Sequence, residues 1–266
     1  MIDASQLKKI KTEQDGPIYR ISLNYPDRRN AIGPQMTNEL LHALKDAHTS
    51  AETRVILLEG EGKSFCAGGD FGSMTSGDLT AGNGEQLELE GDYADLLLAM
   101  VRTEKPIICK VHGHAMGGGL GIVAASTFAI ADEDAQLGTP EINVGLFPMM
   151  IMAVLARQVP RRALLEMMLT GAKLSAREAK DLGIVNRVER ADELESAAQQ
   201  FAMNLAAKSP KTIALGLRAF NEQDDLDLAK ALPMLRGKLG EVLATNDARE
   251  GLMAFLEKRA PKWTGT

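Results

Sequence analysis

The stretch KPIICKVHGHAMGGGLGIVAASTFAIADEDAQLGTPEINVGLFP, residues 105–148, decides how the rest of the chain is read. Its apolar run Ile107–Val111 has the length and composition of a buried strand. Gly117, Gly118 and Gly119 follow, and then a small, apolar run from Leu120 to Ser126 that predicts a buried helix. Phe128 to Ala131 predicts another strand. The stretch closes on Glu141, an acid set between Pro140 and the apolar run Ile142 to Phe147. A carboxyl group in apolar surroundings resists ionisation, so its pKa rises toward the range of a useful proton carrier. Glycines at a helix start let a ligand approach the backbone closely, and the free N–H groups there favour negative charge. Donors aimed at a carbonyl oxygen, with a base beside them, are the parts needed to form an enolate.

Upstream, SFCAGGDFGSM (64–74) predicts a short strand, Phe65 to Ala67, that ends in Gly68 and Gly69 before Asp70. It is a second place where backbone N–H groups can face a ligand, although Gly-Gly after a strand is usually a turn. Residues 73–86 are polar and glycine-rich; they read either as a surface excursion or as a lid over a ligand. Residues 5–13 and 17–24 predict two strands joined at Gln14, Asp15 and Gly16. In the polar loop after Pro26, Arg28 and Arg29 read either as a solvated turn or as a phosphate contact. Helices are expected over 34–47 and 87–103, and a buried strand from Val55 to Leu58.

Downstream, one apolar helix follows Pro148, and another runs from Pro160 to a C-cap at Gly171. Ser175 and Glu178 form a capping box for a third. Ile184 to Val188 predicts a short strand. Helices are then expected over 192–208, 210–221, 226–244 and 246–258, punctuated by Pro210 and Pro233. Strand–strand–helix blocks followed by a helical tail indicate an α/β chain with an appended helical segment.

Composition narrows the function class. At 266 residues the chain is long enough for one large domain or a domain with an appendage. Its formal charge is −6 and its pI about 5.4, which disfavours a nucleic-acid surface. The only cysteines, Cys66 and Cys109, lie in apolar runs and read as buried hydrophobes of a reducing compartment. No metal-ligand spacing surrounds them, and His112 and His114 lack a third ligand, so no metal is expected. The N-terminus has no apolar targeting segment, and no run is long enough to span a membrane. A cytoplasmic location and no membrane partner follow as expectations.

Taken together, these motifs resemble the crotonase superfamily, the enoyl-CoA hydratase/isomerase family, over nearly the whole length. NYPDRRNAI (24–32) is similar to its N-terminal loop, and SFCAGGD (64–70) and KPIICKVHGHAMGGGLG (105–121) to its two oxyanion-hole segments. GTPEINVGLFP (138–148) carries its acidic position. LTGAKLSAREAKDLGIVNRV (169–188) and EGLMAFLEKRAPKW (250–263) match two further segments. The resemblance implies a crotonase-like spiral of ββα repeats in two nearly perpendicular sheets, with a C-terminal helical region that makes trimers, often stacked into hexamers. Residues 1–195 would form the spiral core with the acyl-CoA site and 196–266 the oligomerisation region. The substrate implied is an acyl-CoA thioester, with coenzyme A as part of the substrate and no separate cofactor. Its thioester oxygen would be held by the N–H groups of Gly69 and Gly118, with Glu141 as the acid/base. The CoA would lie against Cys66, Ala67, Gly68, Asp70, Phe71 and Gly72, with Arg28 and Arg29 near its phosphates.

The chain also departs from that family. Hydratases carry a second, earlier glutamate, and its position here is Gly121, which transfers no proton. The run after Pro148, usually glycine-rich, is Met149, Met150, Ile151 and Met152; it reads either as an apolar wall of the acyl pocket or as a helix in the core. A single base beside an oxyanion hole suits a double-bond shift in an enoyl-CoA better than water addition. A hydratase drawing its second acid from Asp78, Glu85 or Glu88 is the alternative, and a catalytically silent acyl-CoA binder is the alternative of another class. Gly117, Gly119 and Gly121 loosely imitate a dinucleotide fingerprint, but Ile122 stands where its third glycine is required.

Overall fold

The structure is a computed structural model that describes residues 4–70, 72 and 87–266. Strand periodicity builds the core. Successive side chains on a strand point to opposite faces, so a continuous apolar run is covered on both. In β3 (Val55–Gly60) and β4 (Ile107–Val111), Ile56, Leu58, Ile107, Cys109 and Val111 enter the larger core. Val55, Leu57 and Ile108 enter a smaller one on the opposite face. These strands sit inside a six-stranded sheet with β1 (Ile10–Asp15), β2 (Ile18–Leu23), β6 (Phe128–Asp132) and β9 (Arg187–Glu189), in the order β1-β2-β3-β4-β6-β9. The β1–β2 hairpin is antiparallel and the remaining pairs are parallel. A second sheet holds three short strands, β5 (His114–Met116), β7 (Gln136–Gly138) and β8 (Lys173–Ser175), in the order β5-β7-β8.

The smaller core is closed by the helix Leu194–Ala206. Its Ala198, Ala202 and Ala206, four residues apart, form a flat small-residue face toward the sheet. Glu195 on this helix pairs with Arg20 at 2.7 Å and with Lys110, which itself pairs with Glu59. The expected boundary at residue 195 falls inside this helix. The helices Pro210–Gln223, Leu228–Leu243 and Asn246–Leu256 follow, and Pro233 lies within the second. Phe220, Leu228, Phe255 and Leu256 on these helices are exposed.

Several expected elements differ, each for a local reason. The strand expected over 5–13 begins only at Ile10, because the N–H groups of Lys8 and Lys9 donate to the Glu39 carboxylate. The helix expected over 87–103 begins at Tyr93. Asn38 holds Glu88 and Glu90 by their backbones, and Asp92 with Asp95 caps the helix Tyr93–Val101. Phe65 to Ala67 is no strand: Cys66 bridges Ala115 while Gly69 bridges Ile32, so each pairing is one residue long. Near 184–188 the strand is Arg187–Glu189, because the N–H groups of Ile184 and Val185 turn back to Ala179. The capping box at Ser175 and Glu178 and the left-handed C-cap at Gly171 lie where expected.

Candidate functional site

Three parallel segments leave the small sheet at the same end. Strands β5 and β7 pair in parallel, Met116 opposite Gly138, so residues 117–118 and 139–141 emerge side by side. Cys66 bridges Ala115 in parallel on the other edge of β5, which brings 66–69 alongside. The carboxyl ends of parallel strands are where open backbone groups collect. Here they deliver Gly69, Gly118 and Glu141 to one place. Strands β5 and β7 are three residues each and carry no periodic signal of their own.

The donors follow from the backbone. Ile32 N–H donates to Gly68 and Asp70 N–H donates to Ile32, so the N–H of Gly69 faces away from residue 32. Gly118 is the first residue of the helix Gly118–Ala125, where N–H groups have no preceding helical carbonyl. Gly117 makes that start possible. Its φ of +48° belongs to the region that favours glycine, and a Cβ there would stand 2.6 Å from Glu141 Oε1.

Glu141 lies in the first turn of the 3₁₀ helix Pro140–Val144. It is half-buried, and its Oε2 is buried with no hydrogen-bond partner among the described residues. Burial raises its pKa above the usual carboxylate value, and its own backbone N–H offsets this in part. Cys66 is fully buried, its thiol pushed up to about 12 by desolvation, so it packs as a neutral apolar group.

The arginine loop joins the site through its backbone. Ala67 N–H donates to Arg29 at 2.9 Å, while both Arg28 and Arg29 expose their side chains. Asn30, which sequence reading passed over, ties this loop down. Its amide donates to the carbonyls of Glu61, Ser64 and Phe65, and it accepts from Tyr25 N–H at 2.8 Å. Its φ of +55° is one that Asn tolerates better than most residues. Gly72 N–H donates to the Asp70 carboxylate at 3.0 Å. Phe71, Asp78, Glu85 and the loop 73–86 lie outside the described residues. Glu88 is exposed, and its carbonyl accepts from Asn38. Among the described residues no group of three or more His, Cys, Asp or Glu is gathered for a metal ion.

Tyr93 is the other residue missed in sequence, where it read as part of an apolar helix face. Its hydroxyl donates to the Gly118 carbonyl at 2.5 Å. Burial holds its pKa well above that of a free phenol, and the nearby Glu141 carboxylate adds to this.

A family model described as Enoyl-CoA hydratase/isomerase matches residues 13–266. The chain belongs to this family. It is 31% identical over 260 residues to the rat (Rattus norvegicus) protein named enoyl-CoA hydratase domain-containing protein 3, mitochondrial, covering 98% of this chain and 86% of that one. The crystal structure of the human protein of that name superposes with a TM-score of 0.89 at 30% identity, covering 96% of this chain and all of the other. An enoyl-CoA hydratase structure from Mycobacterium smegmatis superposes with a TM-score of 0.88 at 32% identity, covering 96% of this chain and 99% of that one. The fold is therefore that of the crotonase superfamily, as the sequence motifs implied. In an enoyl-CoA hydratase/isomerase family member, Gly121 is the position to explain. A Cβ there would stand 2.4 Å from the Tyr93 hydroxyl oxygen and 2.3 Å from Ile151 Cγ2. The two departures seen in the sequence, Gly121 and the run after Pro148, thus meet in one packing contact. Ile151 is buried, whereas Met149 and Met150 are exposed.

Proposed function

We propose that this family member is an enoyl-CoA isomerase that shifts a carbon–carbon double bond from the 3 to the 2 position of an acyl-CoA. The observation that carries the reading is Glu141, half-buried with one oxygen unpartnered, beside a helix start whose residue 121 has no side chain. The N–H groups of Gly69 and Gly118 receive the thioester oxygen. Glu141 takes a proton from C2, the C2–H electron pair forms a C1–C2 double bond as the thioester carbonyl electrons move onto oxygen, and a dienolate conjugated through C3–C4 forms. The protonated Glu141 then donates to C4, and the double bond settles between C2 and C3. Each oxyanion donor is worth about 3 kcal/mol and proton transfer by a placed acid/base ~10²–10⁴ in rate. The CoA is proposed to run along Cys66, Ala67, Gly68, Asp70, Phe71 and Gly72, with Arg28 and Arg29 near its phosphates. No cofactor or metal enters this mechanism.

The test is to incubate the protein separately with a trans-3-enoyl-CoA and a trans-2-enoyl-CoA and to follow both by chromatography and mass. Rearrangement of the first without mass change supports the isomerase. Gain of one water on the second supports the alternative, a hydratase with an acid from elsewhere, which the names of the relatives favour. Turnover of any acyl-CoA removes the silent binder. We further propose that 196–266 associates between copies into a trimer or hexamer, supported by its exposed Phe220, Phe255 and Leu256. The proposed location is the cytoplasm; the rat relative is named as mitochondrial, and cell fractionation separates the two.

A further inference from the structure

Gly118 and Gly121 are three residues apart on one helix and share a face. A side chain at 121 would project into the space beside the proposed oxyanion donor Gly118. That space is already occupied. Tyr93 arrives from the helix Tyr93–Val101 and Ile151 from the helix Met149–Leu155, and both press on Gly121. The tyrosine is fixed rather than resting there: its hydroxyl is bonded to Gly118, and its ring end lies 3.5 Å from where a Cβ on Gly118 would stand. It is no substitute for the missing acid, because its one hydroxyl proton is committed to the Gly118 carbonyl.

We propose that Tyr93 is a specificity-determining residue: with Ile151 it fills the space beside Gly121 and keeps water from the reacting carbons, so that protons move only through Glu141. The inference rests on the proposed reading in taking Glu141 as the base. It adds the device by which this chain is held to proton shuttling. A water too close to C3 would add across the double bond; a phenol oxygen locked to a backbone carbonyl has no free proton to contribute and admits none.

The experiment runs the isomerisation of a trans-3-enoyl-CoA in D₂O and reads the product by mass. In the wild-type protein the proton taken from C2 is expected to return largely undiluted to C4. Tyr93→Ala and Ile151→Ala are expected to raise the deuterated fraction several-fold. In parallel, Gly121→Glu alone is compared with Gly121→Glu, Tyr93→Ala, Ile151→Ala combined. The ratio of hydration to isomerisation is expected to rise roughly 10²-fold in the combined variant only, the scale of one placed acid/base. Thermal unfolding checks that each variant folds. If the alanine variants do not, Tyr93→Phe, which removes one oxygen, is expected to show a smaller rise in deuteration.

The outcomes separate the two ideas. Isomerisation by the wild-type protein with full deuteration, or equal deuteration in the variants, overturns the role of Tyr93 and leaves the isomerase standing. A folded combined variant that isomerises without hydrating overturns it as well. No isomerisation by the wild type, with hydration appearing in the combined variant, overturns the isomerase and supports the blocking role. Hydration by the wild type overturns both.

Discussion

Glu39 and Glu141 are both drawn out of water, and they are held in opposite ways. Glu39, on the helix Pro34–Thr49, is fully buried and saturated with donors. Its Oε2 accepts from Lys9 N–H at 2.8 Å and from Ile10 N–H at 3.1 Å, and its Oε1 from Lys8 N–H and Gln35 at 3.0 Å. Glu141 is less buried, and its Oε2 has no hydrogen-bond partner among the described residues. A buried charge is tolerable when hydrogen bonds replace its hydration, and Glu39 meets that condition. It fastens the chain before β1 to the helix and has no capacity left for a ligand. Glu141 is supplied with less than it needs, and that unmet demand is what a substrate can use.

Substitution of each acid by its amide should separate the two roles. Glu141→Gln is expected to lower acyl-CoA turnover by at least ~10²-fold, read by product formation, while acyl-CoA binding by calorimetry persists. Full turnover by that variant would sink the mechanism. Glu39→Gln is expected to leave turnover per folded molecule near wild type. It should cost about 2–3 kcal/mol of stability, read by urea unfolding, because an amide nitrogen is turned toward backbone N–H groups. If Glu141→Gln proved the more destabilising of the two, the contrast would collapse.

The same contrast has a pH signature. Glu141 has a folded pKa above its unfolded value, so its protonated form favours the fold. That contribution is full below the unfolded pKa and is lost as pH rises through the folded one. Glu141→Gln should therefore be no less stable than wild type at neutral pH, and the gap should close in acid. The activity needs the ionised carboxylate, so the rising limb of kcat/KM against pH should lie above the ordinary glutamate range and vanish in the variant. A smaller effect is expected at the far end of the chain. Phe255→Asp with Leu256→Asp should shift the species seen by light scattering toward the monomer, with Glu141 chemistry retained in whatever assembly persists.

Much of the site could be read before any coordinates. The Gly68–Gly69 pair, the Gly117–Gly119 run and Glu141 stand out because glycines after apolar runs and an acid in an apolar run are local patterns; the family resemblance then implied Gly69 and Gly118 as the donors. Arg28 and Arg29 by themselves read either as a solvated turn or as a phosphate contact, and the family resemblance implied the second. Tyr93 does not, since an aromatic residue at helical spacing looks like core. The pair Asp92 and Asp95, which starts its helix, lacks the Ser or Thr and Glu of the usual capping signature. Asn30 does not stand out either, because its partners at Glu61, Ser64 and Phe65 are distant in sequence.

The amino-acid sequence by itself determined the family, the strands β3 and β4, the capping box at Ser175 and Glu178 and the absence of a second acid at 121, because each is a matter of residue type or short-range spacing. Only the tertiary structure decided how these parts come together and what packs beside Gly121. Three-residue strands gather their register from partners far along the chain, so the convergence of Gly69, Gly118 and Glu141 is a property of sheet pairing. The space beside Gly121 is filled from two other helices, and no pattern around residue 121 records that Tyr93 and Ile151 meet there. Packing is a relation between surfaces, and those surfaces become neighbours only when the chain has folded.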